Sequence, residues 1–233
     1  MIGLEGKPPS LRLWAGEALE IPKLLASPLQ RAIPLAAGDG RPVIIYPGYL
    51  TSDWSSLRLR RSLKAAGYAA QGWGLGKNKG ARPDLLDRLG EGLIAATSGS
   101  DRPAVLIGWS LGGIYAREVA KLHPERVGLV VTLGSPFSGS LRANNAWRIY
   151  EFLNDHPVDR PPMTVDVSVK PPVRTIAVWS PIDGIVAPAA ACGFPGESDR
   201  QVEVNARHLS LTRNVDGIKL IGRLLAEELA LLD

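Results

Sequence analysis

The strongest constraint in this sequence is an alternation of two patterns. Short apolar runs rich in β-branched residues recur along the chain, and helical periodicity fills the gaps between them. Pro42 to Tyr46, Tyr68 to Trp73, Ala104 to Gly108, Val127 to Leu133, Val173 to Trp179 and Gln201 to Asn205 read as strands. Uninterrupted apolar runs suit strands covered on both faces. Between them, the cap-type residues Thr51, Ser52 and Asp53 open one helix. Further helices are expected from Pro83 to about Ala96, Leu111 to Leu122, Asn144 to Leu153 and Asn214 to Leu232. Residues 10–30 place Leu11, Trp14, Ala18, Leu19 and Leu25 at helical spacing, but Pro22 and Pro28 interrupt it, so one short helix and a loop are expected. Such alternation predicts an α/β fold, a mostly parallel central sheet with helices on both faces.

A chain of 233 residues, 45% hydrophobic and 21% charged, can bury one large core, which excludes global disorder. The expected organisation is an N-terminal segment, 1–40, packing on a domain spanning 41–233. Lys plus Arg number 27 and Asp plus Glu 23, and the resulting +4 is too weak to imply nucleic acid. The lone Cys192 excludes an internal disulfide and a cysteine-based zinc site. No apolar run is long enough to span a membrane. The opening MIGLEGKPPS, with Glu5 and Lys7, lacks the pattern of a secretory signal, so the expected location is the cytoplasm. The basic loop Gly74 to Gly80 fits neither phosphate-binding fingerprint and reads as solvated.

Gly108-Trp109-Ser110-Leu111-Gly112-Gly113 joins an apolar strand to a helical pattern. A sharp strand-to-helix turn needs small flanking residues, and it exposes the serine at the carboxyl edge of the sheet. The Leu111 N–H then opens a helix, where donors are free and the dipole favours an anion. A serine nucleophile needs a base. The chain has three histidines. His123 lies at the far end of the helix that follows Ser110, roughly 20 Å away at 1.5 Å per residue. His156 falls in an irregular segment, where no element fixes it near the serine. His208 follows a strand and sits at the same sheet edge as Ser110, so it is the favoured base. Asp183, after the strand ending at Trp179, is the candidate orienting acid, and Glu197 and Asp199 are its rivals. In a tight turn, Asp183 can also simply cap its own backbone. The turn Pro47-Gly48-Tyr49-Leu50 supplies the Tyr49 N–H as the second candidate oxyanion donor.

VIIYPGYL, GWSLGG, VTLGSPFSG, WSPIDGIV and the late His208 together resemble the α/β-hydrolases, within them the lipases and esterases, over roughly 41–232. The chain departs from that branch at Pro47, where His is usual, and at Phe137, where a second His is usual. The resemblance implies a triad of Ser110, Asp183 and His208, an acyl-enzyme, no cofactor and no metal. It also implies a small-molecule ester or lipid substrate. Gly48, Trp109, Phe137 and Trp147 are the expected substrate contacts. Residues 138–172 are the expected cap, whose Leu141, Trp147, Ile149, Tyr150, Phe152 and Leu153 either line an acyl pocket or pack one helix. An acyltransferase on the same triad, or a hydrolase-fold protein that binds without turnover, are the alternatives. Trp14 beside Arg12 offers a surface for peripheral membrane contact, with packing on the chain's own domain as the alternative.

Overall fold

A computed structural model describes residues 6–26, 29–163 and 165–232, so Glu5 and Pro28 lie outside the described residues. The sheet consists of β1 (Pro42–Tyr46), β2 (Ala69–Gly72), β3 (Ala104–Trp109), β4 (Val127–Leu133), β5 (Arg174–Trp179) and β6 (Arg200–Glu203). Their order is β2-β1-β3-β4-β5-β6, and every neighbouring pair is parallel. Each strand lies within a residue or two of its apolar run. The central runs are covered on both sides, which is why they are apolar without alternation.

Side-chain alternation along each strand sorts the core into two layers. Val43, Ile45, Val105, Ile107 and Trp109 face α3 (Leu57–Ala65) and α8 (Val215–Leu229). Ile44, Tyr46, Ala104 and Leu106 face α4 (Leu85–Thr97) and α5 (Leu111–Leu122). On the first face, Glu228 of α8 is buried between Arg174 of β5 and Arg200 of β6, at 2.6 and 2.8 Å. Asn214 caps α8, its side chain accepting from the Gly217 N–H at 2.7 Å. Asp53 does not cap α3. Its carboxylate instead accepts from the Trp73 and Gly74 N–H groups beyond β2.

The strand order also sets where a ligand can sit. From β1 the chain moves outward to β2, and from β3 it moves the other way to β4. The loops leaving β1 and β3 therefore diverge, and a crevice opens between them at the carboxyl ends of the strands.

The N-terminal segment departs from expectation. Helix α1 (Leu11–Glu17) runs through a 3₁₀ turn (Ala18–Glu20) into α2 (Ile21–Leu25). Pro22 sits in the first turn of α2, where its missing N–H costs nothing, so it starts a helix instead of ending one. The apolar face is also reversed. Leu11, Leu19 and Leu25 are 77%, 67% and 66% exposed and Trp14 is half exposed, while Glu17 and Glu20 are the buried residues. Among the described residues, no helix is long and apolar enough to cross a membrane.

Candidate active site

β3 ends at Trp109 and α5 begins at Leu111, leaving Ser110 alone to turn the chain. Ser110 adopts φ 53° and ψ −124°, a region that residues with a side chain rarely visit. Glycines make the turn possible. A Cβ on Gly108 would overlap the backbone of Gly113, and one on Gly112 would overlap the carbonyls of Tyr46 and Pro47. The elbow thus lies directly on the end of β1. The Ser110 N–H donates to the Leu133 carbonyl at 2.9 Å, which ties the turn to β4.

His208 and Asp183 meet at this edge. His208 Nδ1 lies 2.7 Å from Asp183 Oδ2, and both side chains are almost fully buried. The other oxygen, Oδ1, accepts from the N–H groups of Ile185 and Val186, both at 2.8 Å. Asp183 thus makes both kinds of contact at once, one oxygen capping the turn and the other facing the imidazole. Burial pushes the His208 imidazolium down. The charge and hydrogen bond of Asp183, with the charge of Glu17, outweigh it and hold the group above its ordinary value. The rival acids are engaged elsewhere. Glu197 accepts from the Phe194 N–H, and Asp199 pairs with Lys170 and accepts from the Thr175 N–H. His123 packs against Gly90 of α4, and His156 rests edge-on against Tyr150.

Trp109 does not line the cavity beside Ser110. Strand alternation points it to the α3 and α8 side, where it is 2% exposed. There its Nε1 donates to the His208 carbonyl at 3.1 Å, and the two rings lie 5.7 Å apart. The residue before the serine thus holds the histidine loop. Phe137 is also off the cavity. It is fully buried beneath Arg117, whose Cζ stands 4.2 Å above the ring. Burial pushes that guanidinium down to about 10.

Gly48 lies against the elbow, where a Cβ would stand 3.3 Å from the Ser110 Cβ. The positive φ of this turn falls on Leu50, at 59°, and not on the glycine. Asn78 holds the strained turn. It is fully buried, its side-chain amide donates to the Pro47 carbonyl at 2.8 Å, and its carbonyl accepts from the Leu50 N–H, also at 2.8 Å. Its own N–H donates to the Thr51 carbonyl at 2.7 Å. The loop 74–80 is exposed at Gly74, Gly76, Lys77 and Lys79, as expected of a solvated loop, and buried at Asn78 and Gly80, where it braces the turn after β1. Asn78 is one residue that no sequence pattern singled out. An asparagine between two lysines and near two glycines was the only hint.

A cavity of about 700 Å³, its open mouth included, adjoins Ser110. Tyr49 and Leu111 line it beside the serine, and Trp147 of α6 (Trp147–Leu153) faces it. Segment 138–172 supplies about half the wall, with Leu141, Tyr150, Val158 and Met163 prominent. Its exposed Ile149, Phe152 and Leu153 do not contribute. Tyr49 is fixed by the Asn154 side chain at 2.9 Å and by its contact with the Tyr150 ring at 4.9 Å.

No family model matches the chain. Over 62 residues, 27% of the chain, it is 39% identical to the biotin biosynthesis bifunctional protein BioHC of Teredinibacter turnerae, and this covers 10% of that protein. Over 74 residues, 32% of the chain, it is 36% identical to a pimeloyl-acyl-carrier-protein methyl ester esterase of Citrobacter koseri, covering 27% of it. The chain thus spans only about a quarter or less of these curated relatives. Solved structures align over far more. A 2-hydroxy-6-oxo-6-phenylhexa-2,4-dienoate hydrolase of Rhodococcus superposes with a TM-score of 0.57 at 14% identity, over 83% of this chain and 92% of that one. A metagenome-derived lipolytic enzyme gives 0.56 at 16%, over 85% and 97%. An extracellular alpha/beta-hydrolase of a Paenibacillus species gives 0.54 at 14%, over 82% and 99%. The chain has the α/β-hydrolase fold. At such identities the likeness is one of fold, and the site must be argued from its own atoms.

Within this α/β-hydrolase fold, the turn after β1 depends on one buried amide. Asn78→Ala should lower stability by about 1–3 kcal/mol in chemical denaturation, because the Pro47 carbonyl loses its partner in a dry place. An unchanged denaturation midpoint would show that the brace carries no load.

Proposed function

We propose that this protein is a serine hydrolase of carboxylic esters with apolar acyl groups. The observation that carries the reading is the convergence of a strained serine elbow and a buried Asp183–His208 pair on one sheet edge beside a cavity walled mainly by apolar side chains. The name of one curated relative, a methyl ester esterase, supports an ester as the substrate.

Ser110 Oγ attacks the ester carbonyl carbon as His208 takes the hydroxyl proton. The carbonyl electron pair moves to oxygen, and the N–H groups of Tyr49 and Leu111 receive the oxyanion. Collapse expels the alkoxide, which leaves as the alcohol with the proton from His208. Water then attacks the acyl-enzyme by the same route, releasing the acid and restoring Ser110. Asp183 keeps the imidazole oriented and stabilises its charged form. Segment 138–172 acts as a cap, and its inner residues with Trp147 hold the acyl chain. The mainly apolar wall suits an acyl group.

Ser110→Ala should cut kcat by roughly 10⁴-fold or more with the fold intact. Asp183→Asn should cost roughly 10³ to 10⁴-fold, since Oδ1 can still cap the turn. Near-normal turnover in either variant would move the chemistry elsewhere. A graded series of p-nitrophenyl esters should show activity falling once the acyl chain outgrows the cavity, and a flat profile would contradict the assigned pocket. The base must be neutral to accept a proton, and its value is raised. Activity should therefore fall with decreasing pH through a midpoint above the ordinary histidine value of about 6.5. A midpoint well below that value would contradict the assigned electrostatics.

A further inference from the structure

We propose that Glu17, in the N-terminal segment, is a positioning residue for the acid and the base. This rests on the reading of Asp183 and His208 given above. Its Oε1 accepts from the Gly184 N–H and from the His208 N–H, both at 2.9 Å. Its Oε2 accepts from the Leu209 N–H at 3.0 Å. One carboxylate therefore joins the loop that carries Asp183 to the loop that carries His208, residues that lie 25 apart in sequence.

The packing around Glu17 shows how closely α1 is fitted to these loops. Glu17 is 3% exposed although its helix turns Leu11 and Trp14 to the outside. A Cβ on Gly184 would overlap the Leu13 carbonyl, and one on Gly16 would overlap the Arg207 guanidinium. Asn145 adds a second tie, donating to the Pro9 carbonyl at 3.0 Å and to the Gly184 carbonyl at 2.8 Å. Burying a carboxylate is costly unless it is hydrogen-bonded, and three N–H donors offset that cost. The neighbouring Glu20 solves the same problem differently, pairing with Lys23 and Arg213. Glu17 instead commits both oxygens to the backbone of the two loops.

The arrangement has two consequences. It fixes the Asp183–His208 geometry through the backbone of both loops. It also places a second negative charge near the imidazole. The charged groups acting on His208 are Asp183 and Glu17, and Glu17 in turn acts on Arg213 and lies in the helix that packs on Arg207. Removing the Glu17 charge lessens the stabilisation of the imidazolium, so His208 should titrate at lower pH.

The test is Glu17→Gln, with Glu20→Gln as the control in the same segment. His208 is followed by NMR titration of its ring, assigned with a His208→Gln variant, alongside kcat and KM on a p-nitrophenyl ester. Glu17→Gln should move the His208 midpoint down by roughly half a unit to one unit, and the acid limb of the pH profile with it. It should lower kcat roughly ten- to hundredfold with little change in KM. Glu20→Gln should leave the midpoint in place. An unchanged midpoint and kcat in folded Glu17→Gln, or the same shift from Glu20→Gln, would overturn the proposal. If Glu17→Gln does not fold, Glu17→Asp keeps the charge and shortens the reach. It should retain the acid limb and lose kcat, and full kcat would overturn the proposal. The NMR titration needs no turnover, so a wild-type chain without esterase activity sinks the esterase reading and leaves the midpoint shift to decide on Glu17.

Discussion

At Ser110 the chain turns from strand to helix through φ 53° and ψ −124°, and the surrounding backbone leaves no room for another path. Gly108, Gly112 and Gly113 let β1, β3 and α5 approach until a single Cβ would separate them. The half-buried position of Ser110, on the cavity wall, follows from that approach. So does the placement of the β1 turn, with Gly48 against the serine and Tyr49 beside it in the cavity wall. The strain is held by the sheet and by Asn78, whose buried bonds keep Leu50 in its own unfavourable conformation.

Electrostatics at the site come from the same economy of space. His208 and Asp183 are buried together, so their attraction is weakly screened and outweighs the burial that would otherwise keep the imidazole neutral. Trp109 and Glu17 grip the His208 loop by its backbone, at the carbonyl and the N–H respectively. The side chain stays free to exchange a proton while the main chain stays fixed. This division suits a general base, which must titrate without moving.

The fold was legible because its central strands are buried on both faces. Val43 to Tyr46 and Val105 to Ile107 had to be apolar throughout, and their shortness, β-branched content and flanking Pro and Gly set them apart from a buried helix segment. Ser110 and Asp183 each follow an apolar run at its carboxyl end and His208 follows the alternating Gln201 to Asn205, so the sequence alone puts all three at one sheet edge. Proximity to a motif misled where alternation decides direction. Trp109 adjoins the serine in sequence but points to the other side of the sheet, and Phe137 packs under Arg117. The N-terminal segment was illegible for a different reason. Its helix buries Glu17 and Glu20 and exposes leucines, so periodicity indicated the wrong face. Asn78 and Glu17 act through partners distant in sequence, and no local pattern encodes those.

The central claim is that Ser110 is the nucleophile, activated by the buried Asp183–His208 pair at the same sheet edge. Peptide mapping after treatment with a fluorophosphonate tests this most directly, because the reagent records which oxygen is activated. One adduct on the peptide bearing Ser110, lost in a folded His208→Gln variant, is the predicted result. An adduct on another residue, or none on the folded wild-type chain, would contradict the account.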